Sequence, residues 1–224
     1  MHALIVLAHP EPGSFSAALA RTAASALETV GWTVDLDDLV REGFTGALTR
    51  ADLVPEPADD LVQIMWAQEE ATARGGYAPA VLDQMRRLQA ADLIVTVFPF
   101  WWFGTPGVLK DWIDRVWANG IAYGHDAYDD GPLKGKRALA VVAVGGDEAM
   151  YGPEGRSGDI HALLNPLLHG TFGYCALDVL APELVFEADG RDEGVRTRAL
   201  DRLAARMPGI ADEAPIATHP LRAQ

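Results

Sequence analysis

The chain has 224 residues, 49% hydrophobic and 22% charged, enough for one hydrophobic core with an extension and far from the collagen-like, disordered or disulfide-scaffold classes. Eighteen Lys and Arg against 32 Asp and Glu leave a formal charge of −14, which repels phosphate backbones and anionic lipid and so excludes nucleic-acid and membrane-surface binding as first readings. The single cysteine, Cys175, allows no internal disulfide, and its apolar neighbourhood reads as a buried thiol.

Residues 3–8 (ALIVLA) form an apolar run that is too short, and too uncharged at its start, for a secretory signal. No run approaches the roughly 18 apolar residues of a membrane helix, so a soluble, cytoplasmic chain without membrane insertion is expected. The run reads instead as a fully buried strand that enters the loop HPEPGSFS. Over residues 17–30 apolar side chains recur at three and four, and Gly31 is a stop signal. Residues 32–36 (WTVDL) then alternate as a second strand, a β-α-β opening whose default is a parallel pair with a right-handed crossover.

Residues 41–60 show no period, while 61–72 and 80–90 read as helices separated by the break Arg74-Gly75-Gly76. The next apolar run, 93–98 (LIVTVF), ends in an aromatic loop, and Pro106 can start the helix that carries Lys110 to Trp117. A fourth run, 138–144 (ALAVVAV), stops at Gly145-Gly146. Residues 176–186 hold a further strand interrupted by Pro182, and 194–207 make a last amphipathic helix. The expected domain is 1–207, with 208–224 a tail on the surface or on a partner subunit. Strands alternating with helices predict a doubly wound α/β fold with a mainly parallel sheet covered on both faces. Ligands of such folds bind outside the carboxyl ends of the strands. The loops that matter are therefore those after the three most apolar runs.

The first, residues 9–16, offers glycine, the hydroxyls of Ser14 and Ser16 and a helix start, which suit a phosphate or, equally, a simple N-cap. It contains neither a Walker loop nor a dinucleotide GxGxxG. In the second, five of the six residues 98–103 are aromatic. Such a segment stacks on a planar heteroaromatic cofactor, or forms a core corner or an interface between subunits. In the third, Gly145 and Gly146 let a ligand approach the backbone and Tyr151 can donate a hydrogen bond, unless the loop is a plain turn. Together the three describe a seat for a nucleotide-like planar cofactor such as a flavin. Six scattered histidines make no HxxxH or HExxH pair, and no GxSxG elbow is present, so zinc and nucleophilic hydrolysis lack their parts.

At these loops the chain resembles the flavodoxin-like NAD(P)H:quinone oxidoreductase family of the DT-diaphorase type. LIVLAHPEPGSFSAAL resembles its flavin-phosphate loop, FPFWWFGTPGVLKDWIDRV its signature around the isoalloxazine, and GGDEAMYGPEGRSGD its third flavin and substrate loop. The resemblance runs through HGTFGYCALDVLAPELVF into the final helix. It implies a flavodoxin-like five-stranded parallel sheet with helices on both faces.

It also implies site residues. His9, Ser14, Phe15 and Ser16, with Gln63 beside them, would hold the cofactor's phosphates. Pro99, Phe100, Trp101, Trp102 and Phe103 would line the flavin ring. Gly145, Gly146 and Tyr151 would close over its pyrimidine side and act in catalysis. Asp114 and Arg196 match positions that contact the adenine half of FAD, which favours FAD over FMN. Tyr123 and His125, with Trp102, would cover the substrate, the first two from the second subunit of a homodimer.

The chain departs from the family in two places. The histidine that pairs with the family tyrosine falls on Ser157, which puts a tyrosine–histidine charge relay in doubt. Of a metal site in the shorter paralogue only His169 matches, with Gly173 at another ligand position, so no metal is implied. The expected activity is ping-pong hydride transfer from NAD(P)H through FAD to a quinone or similar aromatic acceptor. Two alternatives are a flavin-binding soluble regulatory subunit of a potassium-efflux antiporter and a flavodoxin-like electron carrier.

Overall fold

The computed structural model describes residues 1–124, 127–190 and 192–217. Three continuous apolar runs become the central parallel strands, β1 (His2–Leu7), β3 (Leu93–Pro99) and β4 (Arg137–Ala143). They pair in one direct register, Ile5 opposite Val95 and Val95 opposite Leu139. β2 (Thr33–Asp38) flanks β1, and the order across the sheet is β2-β1-β3-β4-β5.

Alternate side chains of β4 enter two separate cores, Ala138, Ala140 and Val142 on one face and Leu139, Val141 and Ala143 on the other. This is why these strands are apolar throughout rather than alternating. The first core is closed by α2 (Ile64–Arg74), α3 (Pro79–Ala90), α4 (Gly107–Val116) and α5 (Ile160–Leu167), the second by α1 (Phe15–Thr29) and α6 (Glu193–Arg206). The sheet with helices on both faces is the expected doubly wound arrangement.

Local sequence explains the helix limits. Ser14 caps α1 by accepting the Ala17 N–H at 3.1 Å, and Gly31 leaves the helix at φ +85°. Pro79 opens α3, and the Trp112 indole of α4 donates to Gln84 of α3 at 2.8 Å, which satisfies two polar groups in the first core.

The fifth strand position is split at Pro182 into β5 (Asp178–Val179) and β6 (Glu183–Val185), both paired with β4. Its outer side is covered rather than left open. Arg202 and Arg206 of α6 bind the buried carboxylate of Glu183 and donate to the carbonyls of Leu184 and Ala181.

Two elements differ from the sequence-based expectation. β2 continues past Leu36 to Asp38, because Arg87 of α3 holds Asp35 with two bonds of 2.7 Å and approaches Asp37 at 3.2 Å. α5, which has no counterpart in the sequence reading, contains Pro166 and runs directly into a π-helical turn, Leu168–Gly173.

Beyond residue 207 the chain makes a 3-10 turn whose Met207 and Ile210 are buried in the second core. Arg137 donates to the carbonyls of Ile210 and Glu213, and the Ile216 N–H to Val179. As far as residue 217 the tail thus lies along its own sheet. No helix among the described residues is long and apolar enough to cross a membrane.

Candidate functional site

At the carboxyl ends of β1, β3 and β4 the three loops converge on a cleft of about 570 Å³. The first loop contributes His9, Phe15 and Ser16, the second Pro99, Phe100, Trp101 and Trp102, and the third Gly145, Gly146 and Tyr151. Strands brought side by side by one parallel register place these loops together, although 142 positions separate His9 from Tyr151 (151 − 9 = 142).

The cleft is rich in main-chain donors. α1 begins at Phe15, so its first N–H groups have no carbonyl one turn back, and those of Phe15 and Ser16 find no acceptor among the described residues. Together with the helix dipole this makes an anion seat. Ser14 serves as the cap and stands just outside the lining. His9 Nδ1 lies 3.0 Å from the Glu11 amide nitrogen and 3.2 Å from the Glu11 carbonyl oxygen, and its ring rests 5.3 Å from that of Trp101.

On the second loop Trp102 and Phe103 both adopt left-handed backbone, φ 51° and 60°, a conformation that costs a non-glycine residue on the order of 1–2 kcal/mol. Two such residues in succession turn their amides away from the chain, and neither N–H has an acceptor among the described residues. Trp102 is 97% exposed and touches no other ring. Strain held beside a cleft with unused donors is a feature of binding sites. Phe103, outside the lining itself, packs with Phe100 and Tyr151, the three rings 6.0 to 6.4 Å apart.

On the third loop the missing side chains are required. A Cβ on Gly146 would lie 2.9 Å from the Tyr151 ring, and one on Gly145 2.8 Å from the Asp189 carboxylate. The N–H groups of both glycines are unpaired among the described residues. A flat wall of aromatic rings, two bare glycines and amides at three corners fit a planar heteroaromatic ring with polar edges and an attached phosphate.

Arg196 lies outside this cleft. It donates to the Gly190 carbonyl and lines a neighbouring cavity of about 580 Å³ that includes Phe15 and Ala188. Phe15 and Ala188 line both spaces, so the two cavities adjoin.

Gln63, Asp114 and Tyr123 are not brought to the cleft. Gln63 occupies the N-cap position of α2 without a side-chain capping bond, Asp114 of α4 is held by Lys110 at 2.6 Å, and both belong to the face of the sheet opposite Arg196. The Tyr123 ring lies 5.6 Å from Tyr174, and burial raises its phenol above the usual range. His125 lies outside the described residues. Cys175 is buried, and burial pushes its thiol up to about 12, so it is no nucleophile at neutral pH.

A fourth loop, absent from the sequence reading, completes the wall. Residues 186–190 follow β6 and are stitched to the third loop by Glu187 N–H to Gly146 O and Ala188 N–H to Val144 O, both 2.9 Å, which brings Ala188 and Asp189 into the lining. The available signal was position at a strand's carboxyl end.

Comparison with known proteins agrees with this geometry. A family model described as a flavodoxin-like fold matches residues 1–207. The chain is 38% identical to the ribosyldihydronicotinamide dehydrogenase (quinone) of Mus musculus over 95% of its length and 93% of that protein's. It is 35% identical to NAD(P)H dehydrogenase (quinone) 1 of Rattus norvegicus over 96% of its length and 79% of that protein's. A candidate quinone reductase of solved structure from Klebsiella pneumoniae superposes with a TM-score of 0.90 at 30% identity, covering 96% of this chain and 87% of that one. A parallel sheet whose loops form this cleft, matched over nearly its whole length by such relatives, places the chain in the NAD(P)H dehydrogenase (quinone) family of flavodoxin-like oxidoreductases.

Proposed function

We propose that the protein is a flavin-dependent NAD(P)H:quinone oxidoreductase that transfers two electrons by a ping-pong mechanism, with FAD as its cofactor. The observation that carries this is the cleft itself, where an aromatic wall, an anion seat at the start of α1 and amides at Trp102, Gly145 and Gly146 that are unpaired among the described residues surround one space. A bound flavin would accept hydride from a dihydronicotinamide and pass it to a quinone that takes the same place.

The chain's own groups have assigned tasks. Amides of Gly145 and Gly146 and the Tyr151 hydroxyl, which has no acceptor among the described residues, face charge that develops on the pyrimidine side of the ring. The Phe15 and Ser16 amides bind phosphate, and His9 and Trp101 close the side of the cleft. The Arg196 cavity adjoins the cleft across Phe15 and Ala188, which supports a dinucleotide over a mononucleotide, because a ligand that passed Phe15 would meet the guanidinium.

We further propose a homodimer. Gln63, Asp114 and Tyr123 stand apart from Arg196 within one subunit, and a second subunit can present them, with His125, to the same ligand and to the acceptor above Trp102.

The test is the visible spectrum of the purified protein, with released cofactor identified by chromatography and NADPH then added anaerobically. Bound FAD that bleaches within the mixing time, and recovers on addition of a quinone, is the expected result. A colourless protein that neither FAD nor FMN reconstitutes would overturn the reading.

A further inference from the structure

Among the described residues lining the cleft there is no lysine or arginine, and there is one carboxylate, Asp189. Its oxygens stand 2.8 and 3.0 Å from where a Gly145 Cβ would be, so the group leans over the bare Cα of the residue whose amide is free. Among the described residues Asp189 makes no ion pair or hydrogen bond. The main chain of the loop is fixed by two bonds to the third loop, and the Asp189 side chain stands exposed at the rim of the cleft.

We propose that Asp189 is an electrostatic determinant of the reaction, a fixed negative charge that lowers the reduction potential of the bound flavin and so makes it a stronger hydride donor to the acceptor. The inference rests on the flavin reading above. Hydride from a dihydronicotinamide brings two electrons and one proton to the ring system and releases the oxidised nicotinamide. The ring would then carry one added negative charge, and in the proposed seat Gly145 would stand beside it. A carboxylate beside that glycine would oppose the added charge by Coulomb repulsion, moderated by solvent at the rim of the cleft. The free amides and the Tyr151 hydroxyl act in the opposite sense, so the cleft balances donors against one acid. Charge near these ring atoms is a recognised means by which a protein tunes its cofactor.

Asp189 is a tuning residue in this scheme, and potentiometry reads it directly. The midpoint potential of the FAD-loaded protein is measured by dye equilibration for the wild type, Asp189→Asn, Asp189→Ser and Glu187→Gln. Both Asp189 variants should favour reduction by about tenfold or more in equilibrium constant, which for a two-electron couple is a rise of about 30 mV. Glu187→Gln removes the same charge two positions away, on a residue outside the cleft lining, and should shift the potential less. Equal potentials for the wild type and both Asp189 variants, or an equal shift from Glu187→Gln, would overturn the proposal while leaving the flavin reading intact. A wild type that retains no flavin would overturn both.

Discussion

Tyr151 is the one side chain of the cleft wall that offers a hydroxyl beside two bare glycines. Its ring packs against Phe100, Phe103 and Phe186, so Tyr151→Phe keeps the wall and deletes one donor. Flavin reduction followed by rapid mixing should slow by about ten- to a thousandfold, and an unchanged rate would remove the hydroxyl from the chemistry. A second residue-scale prediction concerns Asp37, which is fully buried. Burial drives its carboxyl up to about 7 against the opposing pull of Arg87. An acid whose folded pKa exceeds its unfolded value of about 3.9 binds its proton more tightly in the folded state. Its contribution to stability is therefore greatest below about pH 4 and falls as pH rises to about 7, the reverse of an ordinary ion-paired aspartate. Urea unfolding at pH 5 and pH 8 should show a smaller loss for Asp37→Asn than for the wild type. An equal loss in both would refute the assignment.

At the scale of elements, the outer strand is held by side chains more than by its ladder. β5 and β6 contribute only two and three residues, and Arg206 binds Glu183, Glu213 and the Ala181 carbonyl at once. Arg206→Met leaves a buried carboxylate with one partner fewer and should cost about 3 kcal/mol in urea unfolding. A loss near zero would mean that Arg202 alone suffices.

The same scale shows what the sequence disclosed. β1, β3 and β4 were legible because burial on both faces demands unbroken apolar runs, and α1 because Ser14 and Gly31 mark its ends. The end of β2 was hidden, since its acidic residues look solvated until Arg87 arrives from 50 positions away (87 − 37 = 50). α5 was hidden by Pro166 and by its length of eight residues. The fourth loop was missed for a related reason. β6 is short and contains Glu183, so a search ranked by strand apolarity passes over the loop that carries Asp189. His9, the aromatic loop and the glycine pair were legible because each follows a strand that patterning does identify.

The whole molecule combines a charge of −14 with exposed apolar residues in and just before α2, Trp66 at 55% and Leu61 at 77% exposure. The proposed dimer would cover apolar surface while bringing two acidic bodies together. Repulsion between them is screened by salt, with a Debye length of about 30 Å at 0.01 M and 8 Å at 0.15 M. Light scattering should find a dimer whose dissociation on dilution is suppressed as salt rises across that range. A monomer at all salt concentrations would refute the assembly.

The donors of the cleft belong mostly to the main chain, at Phe15, Ser16, Trp102, Phe103, Gly145 and Gly146. Peptide groups do not titrate in the physiological range, and among single substitutions only one to proline removes an N–H. Under the proposed function the anchoring of the cofactor would thereby be separated from the side chains that meet the acceptor. Trp101 and Trp102 can vary from one descendant to another and alter the range of compounds reduced, while the grip on the redox group is inherited unchanged.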